Sequence, residues 1–197
     1  MIEVEIKTSI SDPEFIRKEL EKYGAKYICS LIHEDTYYNM PLNLRDFGET
    51  DEALRIRESI KFNKMNKDEI HTYNSYVTYK GKKLDTETKT RKEIELKIDD
   101  IEKFREIFRI LGFREVLTIK KERELFKLIY KNYNLELLID YVPQLKKYFL
   151  EIEYISKDQK DINDIKSLLF EFLGLLKIQR EDSITKSYLE LIIDSLS

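Results

Sequence analysis

Hydrophobic positions along the chain change period several times, and each change predicts an element. Phe15, Ile16, Leu20 and Tyr23 recur at helical spacing after Ser11-Asp12-Pro13, a helix start with proline in its first turn, and Gly24 stops that helix. A second helix starts at Asp99 or Asp100, carries Ile101, Phe104, Ile107, Phe108 and Leu111 on one face, and ends at Gly112. A third is expected from about Asp161 to Leu173 with its stop at Gly174, and a fourth after Ser183 with Ile184, Tyr188, Leu191 and Ile192. Between the helices the period falls to two, which predicts strands over 2–7, 27–31, 34–39, 53–58, 75–80, 89–98, 116–130, 135–142 and 149–155. Residues 61–74 are polar and read as an exposed hairpin end or mobile loop.

A weak internal repeat overlies this pattern. Glu3-x-Glu5, Glu93-x-Glu95 and Glu151-x-Glu153 each open a strand that leads into a helix, and the helices stop at Gly24, Gly112 and Gly174. Many antiparallel strands around few helices predict an α+β fold: a closed antiparallel barrel with helices packed outside.

The polar faces of the strands narrow the function. Alternation puts Glu3, Glu5 and Lys7 on one face and Ile2, Val4 and Ile6 on the other. Arg55 pairs with Arg57 in the same way, Lys121 with Arg123, Glu136 with Asp140, and Glu151 with Glu153; Lys80 shares a face with Thr78, and Arg91 with Glu93 and Glu95. For one strand, a solvated outer face explains such charges. Repeated on nearly every strand, like charges at spacing two repel unless a counter-ion or ligand offsets them. The reading that removes the conflict is a barrel whose apolar face meets the helices and whose lumen is charged. Lys7, Arg55, Arg57, Lys80, Arg91, Lys121 and Arg123 would then form a polycationic wall for phosphates. Glu3, Glu5, Asp140, Glu151 and Glu153 would supply oxygen ligands that suit Mg²⁺ or Mn²⁺. A metal and a polyphosphate imply each other here, and no glycine-rich phosphate loop offers another way to hold one.

Composition excludes several classes. Charged residues make up 37% of the 197, well above the usual quarter, yet the net charge is only -3, which argues against a plain basic nucleic-acid binder. Cys29 is the sole cysteine and His33 and His71 the only histidines, so no disulfide framework or Cys- or His-rich metal centre is available. Cys29 reads as a buried structural thiol, and His33 as a surface or packed residue. The charged opening MIEVEIK and the short apolar runs predict no signal peptide and no membrane span, hence a cytoplasmic setting. The fourth helix and the apolar sheet edges leave a homodimer open.

These residues resemble the CYTH superfamily, the triphosphate tunnel metalloenzymes. Glu3-x-Glu5-x-Lys7 is similar to its ExExK signature. Asp35-Thr36-Tyr37-Tyr38 with Arg45-Asp46-Phe47 and Leu54-Arg55-Ile56-Arg57, then Tyr79-Lys80-Gly81, then Thr88–Glu95, then Leu111-Gly112-Phe113 with Lys121-x-Arg123, Leu138-x-Asp140 and Glu151-x-Glu153 follow in the family's order. The likeness runs from residue 2 to about residue 190, and 1–197 reads as one such domain. Two departures stand out: Leu145–Tyr148 occupies a place where the family often has Leu-Gly, and the His-Phe pair that often precedes the first Glu in the cyclases is missing from the sequence. The details are similar to the class IV adenylyl cyclase, or CyaB-like, branch.

The resemblance implies an eight-stranded tunnel and a substrate that is a triphosphate: ATP, inorganic tripolyphosphate or thiamine triphosphate. It implies that Glu3, Glu5, Asp140, Glu151 and Glu153 hold one or two divalent ions. The triphosphate would be gripped by Lys7, Arg55, Arg57, Lys80, Arg91, Lys121 and Arg123, with Lys7, Arg57, Lys80 and Arg123 the candidates for catalysis. Cyclisation of ATP to cyclic AMP and pyrophosphate is the leading expectation. Hydrolysis of tripolyphosphate or thiamine triphosphate is the alternative, and non-catalytic polyphosphate or nucleotide binding a third. Neither nucleic acid nor membrane is an expected partner.

Overall fold

Alternating strands with one apolar and one charged face can hide the apolar face under helices and turn the charged face inward only by closing into a ring. The computed structural model, which describes residues 2–64, 72–156 and 161–196, shows that closure. Eight antiparallel strands, β1 (Ile2–Ile10), β2 (Lys26–Asn39), β3 (Ala53–Phe62), β4 (Thr72–Lys83), β5 (Arg91–Ile98), β6 (Arg114–Tyr130), β7 (Tyr133–Val142) and β8 (Lys147–Ser156), form a barrel in the order β1-β5-β4-β3-β2-β6-β7-β8. Helices α1 (Pro13–Lys22), α2 (Ile101–Ile110), α3 (Ile162–Leu175) and α4 (Tyr188–Leu196) lie outside it or across its end. No described helix is long and apolar enough to cross a membrane.

The ring order is unchanged when β1–β4 are exchanged for β5–β8, so two strand–helix–three-strand halves are related by a pseudo-twofold. Each half caps its helix in the same way. Asp12 accepts the Phe15 N–H at 2.9 Å and Asp100 the Lys103 N–H at 3.0 Å. Gly24 and Gly112 then take φ of 86° and 81°, the left-handed turn that glycine adopts most cheaply. By this shared spacing Glu5, not Glu3, is the counterpart of Glu93. The third copy of the repeat dissolves, because β8 corresponds to β4. Helix α3 also runs through Gly174, and Lys177 adopts the positive φ of 62° instead. Its apolar side, including Leu169, Phe172 and Leu173, is fully buried, and that packing carries the helix past the glycine.

Other boundaries moved for equally local reasons. The two strands expected over 27–39 are one strand, β2, bent by irregularities near Tyr27/Cys29 and Tyr37/Tyr38. Helix α4 begins at Tyr188, after a 3₁₀ turn at Arg180–Asp182, so Ile184 precedes it. The polar hairpin end lies largely outside the described residues, although β3 and β4 pair up to Lys61 and Thr72 on either side of it. Cys29 is buried, as expected.

Three apolar clusters fix the scaffold. The largest sandwiches Val4, Ile6, Leu137, Leu150 and Ile152 of the barrel's outer face against α1 and α3. A second packs Phe108 of α2 on Tyr38, Leu54 and Ile56. The third places Tyr188 and Ile192 of α4 on Tyr37, Ile119, Val142 and Phe149, across one side of a barrel end. Phe172 is completely buried and meets Tyr23 and Tyr130 with ring centroids 6.0 and 5.1 Å apart. Phe172→Ala is expected to cost about 3–5 kcal/mol, read as a lowered urea midpoint at unchanged slope.

Candidate active site

The strand faces that exclude the helices line a continuous cavity of about 860 Å³ through the barrel. Register decides which charges meet in it. Antiparallel pairing of β1 with β8 sets Glu5 opposite Glu153 and Lys7 opposite Glu151. Pairing of β6 with β7 sets Arg123 opposite Asp140, and pairing of β2 with β3 sets Asp35 opposite Arg57.

The five carboxylates expected to bind metal divide into two groups. Glu3, Glu5 and Glu153 come together, each offering an oxygen within 4.8 Å of the others. Burial raises all three carboxyls. Glu5 is pushed up to about 7, with the neighbouring Glu151 charge adding to the effect, and Glu153 is pushed well up, with Glu3 adding to it. Asp140 and Glu151 are instead bound in ion pairs. The Arg123 guanidinium forks onto Asp140 with two 2.6 Å bonds and also donates to Glu151. Glu151, despite its burial, is held well below the usual carboxylate range by Lys89, Arg123 and Lys121.

Six of the seven expected phosphate ligands line the cavity, in different states of engagement, and Lys7 is fully buried behind Tyr188. Arg57 forks onto Asp35, with bonds of 2.6 and 2.7 Å. Arg55 reaches Asp35 at 3.4 Å and Thr78 at 3.1 Å, and its Nε is buried without a partner. Lys80 contacts Glu93 and, at 3.4 Å, Glu3, and Arg91 lies 3.6 Å from Asp51. Lys7 and Lys121 are short of anions. Lys7 donates to the Lys186 carbonyl and sits 4.3 Å from the Tyr188 ring centre; Lys121 is 3.6 Å from Asp140. Burial drives Lys7 down to about 7, helped by the Lys89 charge, and Lys121 down to about 8, helped by Arg123.

Four site residues escaped the sequence reading. Lys89 bridges Glu5 and Glu151, the latter at 3.2 Å. It shares the odd-numbered face of Arg91, Glu93 and Glu95, so period two could have found it. Asp35 lies on the face of Tyr37 and anchors both arginines of β3. His33, two residues back on that face, is only 4% exposed and lines the tunnel, so it is a lumen residue and not a surface one. Tyr188 arrives from α4 and donates to Asp140 at 2.9 Å; nothing local in the sequence signals that reach.

These perturbed groups predict a pH dependence. In the metal-free protein Glu5 titrates near 7 against an ordinary 4.5, so the folded state holds the extra proton and stability falls as pH rises through that window. Lys7 titrates near 7 against 10.5, so above 7 the unfolded chain holds more protons and stability rises with pH. Urea unfolding across this range is expected to show a shallow stability minimum near neutrality, and Glu5→Gln should flatten its acid side.

The CYTH domain matches residues 1–188. A Methanocaldococcus jannaschii protein named "Putative adenylate cyclase MJ0240" is 46% identical over 191 residues, covering 97% of this chain and 98% of that one. The solved structure of the PH1819 protein from Pyrococcus horikoshii OT3 superposes with a TM-score of 0.82 at 36% identity, covering 98% and 99% of the two chains. A Hippeastrum protein shares the fold at 15% identity, with a TM-score of 0.62 and coverage of 98% and 96%. It is named as a putative adenylyl cyclase and described as having a dominant triphosphatase activity.

Proposed function

Because the chain belongs to the CYTH domain family, we propose that it is a divalent-metal-dependent enzyme acting on a triphosphate inside the tunnel, with ATP cyclisation to cyclic AMP and pyrophosphate as its reaction. One observation carries the reading: a single cavity is lined by crowded carboxylates at Glu3, Glu5 and Glu153 and by Lys121, a lysine short of anions, with Lys7 buried behind the lining residue Tyr188. A triphosphate with its divalent cation offsets both at once. The name carried by the 46% identical archaeal relative supports cyclisation.

The carboxylates fit such a cation. One buried and two half-buried carboxylates without nitrogen or sulfur donors suit Mg²⁺ or Mn²⁺, and their carboxyls, raised by burial and by mutual repulsion, record a charge deficit that the ion would relieve. When bound, the ion supplies charge neutralisation on phosphate oxygens. Glu3, Glu5 and Glu153 would hold it, while Asp140 and Glu151 act through Arg123, fixing the plane of its guanidinium.

The chain's own cations do the remaining work. Lys7 and Lys121 would bind the phosphate chain as point charges, and their proton affinity would rise as the polyanion arrives. Arg55, with its unpartnered Nε, and Arg91 would bind further phosphate oxygens. Lys80, Arg57 and Arg123 are held rigidly by Glu93, Asp35 and Asp140, so their positive charge is already oriented when negative charge builds on the leaving group. The same wall would serve hydrolysis of a terminal phosphate, as the description of the Hippeastrum protein illustrates for this fold.

Product analysis tests the reading. With Mn²⁺ and ATP, the expected products are cyclic AMP and pyrophosphate in equal amounts. Orthophosphate from ATP or tripolyphosphate, with no cyclic AMP, would make the protein a triphosphatase. Glu5→Gln should reduce turnover to background and also remove the rise in thermal midpoint that Mn²⁺ gives the wild type; an unchanged rise would refute the metal assignment.

A further inference from the structure

Proton management is the part of this chemistry that the charged walls leave open. The main carboxylates of the cavity are committed elsewhere: Glu3, Glu5 and Glu153 to the cation, Asp35 to Arg57, Asp140 to Arg123, and Glu95 accepts from Thr78 at 2.9 Å. The arginines cannot accept a proton, and a bound polyanion would hold Lys7 and Lys121 in their cationic form. His33 differs from all of these. Its side chain lines the cavity at 4% exposure, and its Nδ1 is buried with no hydrogen-bond partner. A buried imidazole left unsatisfied costs stability unless something polar meets it.

Its position is equally specific. Register places His33 opposite Lys121 on β6 and Ser59 on β3, beside the wall that would bind phosphate. Beyond His33 leucines enter the lining among the charges: Leu31 is next on β2, opposite Arg123, and Leu125 follows Arg123 on β6 and pairs with Leu138 on β7. His33 therefore stands where phosphate-binding cations adjoin an apolar patch of the wall. A hydroxyl joining the two parts of a substrate would lie at this junction.

We propose that His33 is the proton acceptor for the attacking hydroxyl, with the substrate's organic group lodged against Leu31, Leu125 and Leu138. This rests on the triphosphate reading given above. In the step, the O–H bond of the attacking ribose hydroxyl breaks and its proton passes to the imidazole. The freed oxygen bonds to the α-phosphorus as the bond to pyrophosphate breaks, and that electron pair leaves on pyrophosphate, beside Lys7 and Lys121.

The charges around His33 suit such a role only when substrate is present. Burial, joined by Arg57 from β3 and by Lys121 and Arg123 from β6 and opposed by Asp35 on its own strand, holds the imidazole well below its ordinary range and keeps it neutral. A polyanion among those three cations offsets their field, so the imidazole becomes a better base as the substrate seats.

His33→Asn tests the assignment. Turnover of ATP is expected to fall about 10²–10⁴-fold, the usual worth of a positioned base, while KM and the affinity for tripolyphosphate stay within about threefold. Independently of turnover, NMR of ring-labelled wild type, with the His33 signals assigned from the variant, should show the imidazole titrating about one pH unit higher when tripolyphosphate is bound. Four outcomes count against the proposal. A variant that keeps wild-type turnover, or an imidazole indifferent to tripolyphosphate, overturns it alone. Parallel loss of turnover and tripolyphosphate binding makes His33 a structural residue. A wild type that converts no triphosphate overturns the functional reading and this proposal together.

Discussion

Charges that face inward in a closed barrel must find their counter-charges inside it, because the helices and the outer wall leave no other route to compensation. This constraint organises the molecule. Arg123 with Asp140 and Glu151, Arg57 with Asp35, and Lys80 with Glu93 are each placed by strand register within bonding reach. Leaving either member of such a pair alone would cost several kcal/mol. What remains after those pairings is a carboxylate cluster on one part of the wall and two poorly neutralised lysines on another. The site is the unpaired remainder of an otherwise neutral interior.

That view explains why burial perturbs the cavity groups in opposite senses. Lys7 and Glu5 are both driven toward neutrality near pH 7, yet they lie on the same strand two residues apart. They do not neutralise each other, because Glu5 is bridged by Lys89 while Lys7 is drawn to the Lys186 carbonyl and the Tyr188 ring. Helix α4 thus takes part in the electrostatics of a cavity built by strands.

Period two made most of this wall legible, since the inner face of a strand is every second residue, and the runs around Glu3, Arg55, Lys121 and Glu151 are too uniformly charged for a solvated face. The misses have physical reasons. Lys89 precedes the ladder of β5, so its inward direction depends on its backbone N–H bonding to Glu5 O at 2.9 Å. Tyr188 and His33 are ordinary core residues by pattern, and only three-dimensional placement turns one toward Asp140 and the other toward the cavity. The division of five carboxylates into a cluster of three and a pair held by Arg123 depends on side-chain reach across strands, which alternation does not encode. Gly174 misled because glycine stops a helix only where packing does not carry the chain onward.

The seam of the barrel has a further consequence for how the chain folds. Strand β1 closes the ring against β8, from the far end of the sequence, while its other edge meets β5 at only Ile2 and Glu3. Contacts this distant along the chain form late and slowly, because the loop entropy is lost before they repay it. Glu3 and Glu5 come from one side of that seam and Glu153 from the other, so the carboxylate cluster comes into being only at the last closure. During synthesis, a ribosome-bound chain lacking β8 would have most of its cationic wall and none of its assembled acidic cluster.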